Sequence, residues 1–141
     1  MIKKITTWFL IPFVVTAVAA KIVLLNMPQE PPVIPDGNIL VFCHATVRCP
    51  TCETMESLIK EVLEKPENTA LGIDLITLEY DSPANHDFAE QFRVGTAGII
   101  LLEKKEGNIA RSSNITLDAW KYVEDKKSFI EMLETKLSEF Y

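Results

Sequence analysis

Positive charge is scarce in this sequence. Against 20 Asp and Glu the 141-residue chain sets 14 Lys and Arg, a net charge of −6. Three of those cations, Lys3, Lys4 and Lys21, precede the first acid, Glu30, so the remainder of the chain carries −9. Such a surface gains nothing from a phosphate backbone, which argues against nucleic acid as a partner. Nor does it adhere by charge to an anionic membrane surface. Internal repeats are missing, as is low-complexity sequence outside one proline-rich stretch, and the length fits one domain. Acid is missing locally as well: no Asp or Glu lies between Asn38 and Cys52.

What the N-terminus does have is hydrophobicity. After Lys3 and Lys4 the chain is apolar almost without interruption from Ile5 to Leu25, broken by Lys21. About 20 apolar residues cross the hydrocarbon layer as a helix. The leading lysines place its start in the cytoplasm and whatever follows outside. Residues 1–25 therefore read as a signal anchor or a signal peptide. The small residues Ala17-Val18-Ala19-Ala20 offer a cleavage site. Continuation of the apolar run past them, with Lys21 able to snorkel to the headgroups, favours an uncleaved anchor. Residues 26–37 hold four of the eight prolines, the composition of a semi-rigid tether. The folded domain is expected at 38–141, long enough for one modest core.

Within that domain "NILVFCH", 38 to 44, is a β-prone apolar run. From Pro50 the period changes: Cys52, Met55, Leu58, Ile59, Val62 and Leu63 form one helical stripe that ends before Pro66. A second strand is expected at 72–81 and a short helix at 82–94, opened by Ser82 and Pro83 and carrying Phe88 and Phe92. "AGIILLEKKEGNIARSSN", 97 to 114, reads as a hairpin turning at Glu106-Gly107-Asn108, with a polar second strand suited to a sheet edge. Phe129, Ile130, Leu133 and Leu137 share one face of a C-terminal helix, with Trp120 and Tyr122 in its lead-in. The order β-α-β-α-β-β-α predicts an α/β domain: a mixed four-stranded sheet flanked by helices, behind the N-terminal transmembrane helix.

Three cysteines and a histidine crowd into residues 43–52. Cys49-Pro50-Thr51-Cys52 sits where the first strand hands over to a helix, a pattern that reads as a redox dithiol. A sulfur at a helix N-terminus meets unpaired N–H groups and the positive end of the dipole. Both favour thiolate, the attacking species. Cys49 is then the exposed nucleophile and Cys52, on the apolar stripe, the shielded resolving thiol. Pro50 suits a first-turn position, and Arg48 adds positive charge if its side chain folds toward the sulfur. His44 is placed to hydrogen-bond near the dithiol. On a strand Ile39, Val41 and Cys43 share one face and Leu40, Phe42 and His44 the other, so Cys43 reads as a core thiol.

The region resembles the thioredoxin fold over roughly residues 38–141. More narrowly, "HATVRCPTCETME", 44 to 56, resembles the small membrane-anchored F subunits of a nitrophenyl-compound nitroreductase found in bacterial arsenic operons. That resemblance implies a dithiol at Cys49 and Cys52 preceded by Arg48, and a thiol–disulfide oxidoreductase working with a redox partner protein, without a cofactor. It also implies a bacterial inner membrane location, with the domain facing the periplasm or cell exterior. Two departures stand out. Thioredoxins place a cis-proline opposite the dithiol, where this chain has Thr96-Ala97, and a non-proline cis bond is costly enough that Ala97 is expected trans. They also bury an acid beneath the resolving cysteine, which this sequence lacks. Both departures favour one dedicated partner over broad disulfide reduction. Two other readings stay open: a zinc or copper module holding metal with Cys43, His44, Cys49 and Cys52, and a redox-inactive docking subunit.

Overall fold

A computed structural model describes residues 32–141. The anchor or signal peptide expected at 1–25 and the tether as far as residue 31 lie outside the described residues. Among the described residues no helix is long and apolar enough to cross a membrane.

The first strand, β1 (Gly37–His44), is buried from Ile39 through His44. A strand covered on both faces reads as an unbroken apolar run, which explains why "ILVFC" shows no alternation of polarity. Its side chains still alternate in space. Leu40 and Phe42 join one core layer, whereas Ile39, Val41 and Cys43 join the other. β1 pairs in parallel with β2 (Ile73–Glu79) and antiparallel with β3 (Gly98–Lys105), and β3 pairs with β4 (Asn108–Asn114). The sheet order is β2-β1-β3-β4, with β4 as an exposed polar edge. The β3–β4 turn is Glu106-Gly107, both at positive φ (51° and 79°), as a two-residue hairpin requires.

Helix α1 (Pro50–Leu63) buries Cys52, Met55, Leu58, Ile59 and Val62 against the Leu40/Phe42 face. Pro66 does end it, but a single helical turn, α2 (Pro66–Thr69), follows at once. Asn68 in that turn is buried and donates to the Val62 carbonyl at 2.8 Å, closing the end of α1. The helix expected over 82–94 is shorter. A 3₁₀ turn (Pro83–Asn85) leads into α3 (His86–Gln91). α3 stops because Arg93 takes φ 54°, while its N–H reaches the Glu90 carbonyl at 3.1 Å and that of Val94 the Ala89 carbonyl at 2.8 Å. This is a Schellman termination, made here without glycine. α3 covers the opposite sheet face through Phe88, with Phe92 just beyond its end. Helices α4 (Thr116–Tyr122) and α5 (Lys126–Phe140) return to the α1 layer through Ala119, Phe129, Leu133 and Leu137. The result is the thioredoxin-like α/β arrangement, with helices on both faces of a mixed four-stranded sheet.

Two long-range contacts finish the domain. The C-terminal Tyr141 lays its hydroxyl against the Ile39 carbonyl (2.7 Å) and the Leu102 carbonyl (3.1 Å), a register pair of β1 and β3. Burial pushes its phenol up to about 12. Near the start of the described residues Ile34 packs against the α3-side core. Lys104 donates to its carbonyl at 2.6 Å, and Asp36 accepts the Gly107 N–H at 3.0 Å. The last residues of the proline-rich stretch thus lie on the sheet.

One glycine is fixed by crowding. A Cβ at Gly98 would stand 2.1 Å from Thr116 Oγ1, the atom that accepts the Ile99 N–H at 3.2 Å. Gly98→Ala must therefore push α4 from the sheet. We expect a loss of about 2 kcal/mol or more in urea unfolding, as for other overpacked sites. An unchanged midpoint would show that Thr116 yields freely.

Candidate active site

Cys49 is the N-cap of α1, with extended φ and ψ (−104°, 155°), and Pro50 follows as the first helical residue. Proline suits that place because its missing N–H would have had no partner and its φ is already helical. Cys49 Sγ accepts the backbone N–H of Cys52 at 3.2 Å. The sulfur thus fills the role a serine or aspartate oxygen has at other helix starts. Cys49 is half-buried and Cys52 is 6 % exposed. Their Cα atoms lie 5.2 Å apart and their sulfurs are joined as a disulfide. Thr51, between them, is half-buried, and Thr54 Oγ1 donates to the Pro50 carbonyl at 3.0 Å. A sulfur half open to solvent, with a shielded partner one turn along, is an arrangement able to pass electrons by exchange.

The loop that carries Cys49 is held from the turn just beyond β2. Thr46 donates its N–H (2.8 Å) and its hydroxyl (3.0 Å) to Asp81, and the Thr46 N–H keeps the Asp81 carboxyl below the ordinary range. Val47, in the same loop, is 84 % exposed, an apolar side chain left beside the dithiol.

His44 lies on the dithiol side of β1, as its parity predicts, and is buried. Its Nδ1 is 2.7 Å from the Ala45 carbonyl and its Nε2 is 3.1 Å from Arg48 Nη2. A carbonyl only accepts and a guanidinium only donates. Nδ1 is therefore placed to donate to the carbonyl and Nε2 to accept from Arg48. Arg48 is not directed at the sulfur as the sequence allowed. Its other arm forms an ion pair with Glu56, which also accepts Lys60 Nζ at 2.8 Å. Hydrogen bonds from Lys60 and then Arg48 hold the Glu56 carboxyl below its ordinary value despite partial burial.

Thr96 is exposed and Ala97 is buried in the core layer that contains Cys52, with Cys49 packed against it. No cis peptide occurs among the described residues, so Ala97 is trans as expected. Where a proline ring would stiffen this turn, Trp120 of α4 intervenes: its indole N–H donates to the Ala97 carbonyl at 2.6 Å.

Cys43 is set apart. It is fully buried in the α3-side layer with Val41 and Leu78, and desolvation pushes its thiol from 9.0 up to about 12. The four-ligand metal reading needs Cys43 and His44 to converge. Successive strand residues instead send them to opposite faces of the sheet, which removes that ligand set. Cys49 and Cys52 come together as a pair, and Arg48 and His44 pair with each other in the segment just before them. Glu56 and Trp120 were missed as site residues. Glu56 left one signal, its place one helical turn beyond Cys52.

Comparison with known proteins gives no matching family model and no matching curated protein. Among solved structures the chain is similar to the germline-specific thioredoxin Deadhead of Drosophila melanogaster, at 15% identity and TM-score 0.48, covering 75% of this chain and 83% of that one. It is similar also to Trxlp of Edwardsiella tarda (22%, TM-score 0.42, 60% and 84% covered) and to mitochondrial thioredoxin 3 of Saccharomyces cerevisiae (16%, 0.40, 64% and 79%). None of these extends the narrower likeness of residues 44–56 to a nitroreductase subunit.

The Cys43 thiol supplies a test of this core. A folded-state value above the unfolded one favours the protonated, folded form, so its contribution is whole below about pH 9 and is lost as pH rises toward about 12. Across that window wild-type stability should fall faster than that of Cys43→Ala, by about 1 kcal/mol per pH unit. Parallel slopes in alkaline urea titrations would contradict the buried thiol.

Proposed function

We propose that this domain is a thiol–disulfide oxidoreductase acting through Cys49 and Cys52. The observation that carries the reading is the Cys52 N–H directed at Cys49 Sγ, on a half-open sulfur with its partner cysteine shielded behind it. In the reducing direction the Cys49 thiolate attacks one sulfur of a partner disulfide. A Cys49–partner bond forms and the other partner sulfur leaves with the electron pair. The Cys52 thiolate then attacks Cys49 Sγ, the internal disulfide forms, and the second partner sulfur leaves. Two electrons pass to the partner, and its two thiolates take protons from solvent. Every step is reversible, so the same atoms run disulfide donation.

The reading includes one dedicated protein partner, because Trp120 occupies the Ala97 carbonyl beside the dithiol. It also places the domain outside the cytoplasm, held by residues 1–25 at the bacterial inner membrane, where disulfides persist. An accessory role in a nitroreductase system rests on the resemblance of residues 44–56 alone.

Replacing Cys52 with serine removes the resolving thiol and should leave the partner covalently bound to Cys49. In cells producing the full-length Cys52→Ser chain, non-reducing gels should show a higher-mass adduct that reductant dissolves and that Cys49→Ser/Cys52→Ser lacks. Absence of any adduct, with the protein folded and abundant, would favour a docking subunit that carries an idle disulfide.

A further inference from the structure

The sequence puts a cation next to the nucleophile, and the structure gives that cation other partners. Arg48 immediately precedes Cys49, yet its guanidinium is bound on one side by the Glu56 carboxylate and on the other by His44 Nε2, at 3.1 Å. Neither anchor is casual. His44 is 4 % exposed and its tautomer is set by the Ala45 carbonyl, so Nε2 is a fixed acceptor. The Glu56 side chain is 13 % exposed and is braced from its far side by Lys60. Besides Lys60, three acidic groups stand close to this segment in sequence or register. Glu53 lies in the first turn of α1, Glu79 is the register partner of His44, and Asp81 holds the Cys49 loop through Thr46. What remains to stabilise a thiolate on Cys49 is the helix start itself.

We infer that Glu56 is a positioning residue that withholds the Arg48 charge from Cys49, and thereby makes the reduced dithiol an electron donor, with a partner protein's disulfide as the substrate that is reduced. The inference rests on the exchange reading above and adds its direction. The physical reason is a balance between two states. A positive charge at Cys49 stabilises the thiolate form of the reduced protein and not the disulfide. Proteins whose reduced form is stabilised in this way are oxidants. Holding the charge elsewhere leaves the reduced form less favoured, and electrons run outward to the partner. The oxidised domain must then regain two electrons and two protons from a thiol or dithiol donor, the class of reaction that has to precede this one.

The test is a mutant cycle on the full-length chain in detergent, reading thiolate absorbance against pH and the equilibrium with a glutathione buffer. Burial pushes the Cys43 thiol up to about 12, so its ionisation falls above the range in which a cap thiol titrates. Glu56→Gln keeps the shape of the side chain and removes the carboxylate charge that offsets Arg48. The thiolate midpoint should drop by about one unit, as a neighbouring cation produces. The glutathione equilibrium should move about tenfold toward the dithiol, equivalent to about 30 mV. In an Arg48→Ala background the same substitution should move both readings by less than a third as much, because the charge it would release is gone. Arg48→Ala alone should leave the midpoint close to wild type. The inference is overturned if Glu56→Gln has no effect, if it acts equally with and without Arg48, or if Arg48→Ala alone raises the midpoint by a full unit. A wild-type chain that never equilibrates with glutathione would instead bring down the exchange reading, while the absorbance titration still reports on Glu56 and Arg48.

Discussion

The structure turns on one hydrogen bond, from the Cys52 backbone N–H to Cys49 Sγ. It exists because α1 begins at Pro50, and α1 begins there because β1 delivers the chain to that point. The position is held from several directions: β1 is fixed between β2 and β3, the Cys49 loop is tied to Asp81, and the apolar stripe of α1 is packed on Leu40 and Phe42. A helix N-terminus has donors without partners, and here a sulfur is placed among them. Cys52 gains its shielding from the same geometry, since the residue that begins the buried stripe also lies within disulfide reach of the cap. Reactivity and packing therefore share a cause.

Around that bond the charges are arranged so that little else favours a thiolate. Arg48 is spent on Glu56 and His44, and no acid lies under Cys52 in sequence between Asn38 and the dithiol. The buried polar group on that side is instead an imidazole with a partner at each nitrogen. A ring so constrained fixes the position of a neighbouring guanidinium in a way a solvated side chain would not. Trp120 does comparable work on the other flank by holding the Ala97 carbonyl, without the proline that thioredoxins place there.

Much of this was legible in the residues. Strand parity alone separates Cys43 from His44, because a side-chain period of two sends neighbours to opposite faces. The stripe from Cys52 to Val62 and the polar second arm of the hairpin followed from burial periodicity alone. What was not legible depends on side chains meeting across long sequence distances. Nothing in "VRC" says that Arg48 turns to Glu56 instead of the sulfur. Nothing in "DAWKY" says that the indole reaches back to Ala97, and the phenol of Tyr141 on β1 and β3 is equally silent in sequence. The short stop of α3 was missed for a different reason: a Schellman turn is ordinarily signalled by glycine, and Arg93 occupies the position here.

The central claim is that Cys49, not Cys52 or Cys43, is the sulfur available for attack. Brief treatment of the fully reduced, folded, full-length chain with less than one equivalent of iodoacetamide near neutral pH, followed by peptide mapping, tests it directly. The account predicts label on Cys49 and almost none on Cys52 or Cys43. Label shared evenly between Cys49 and Cys52, or found first on Cys43, would contradict it.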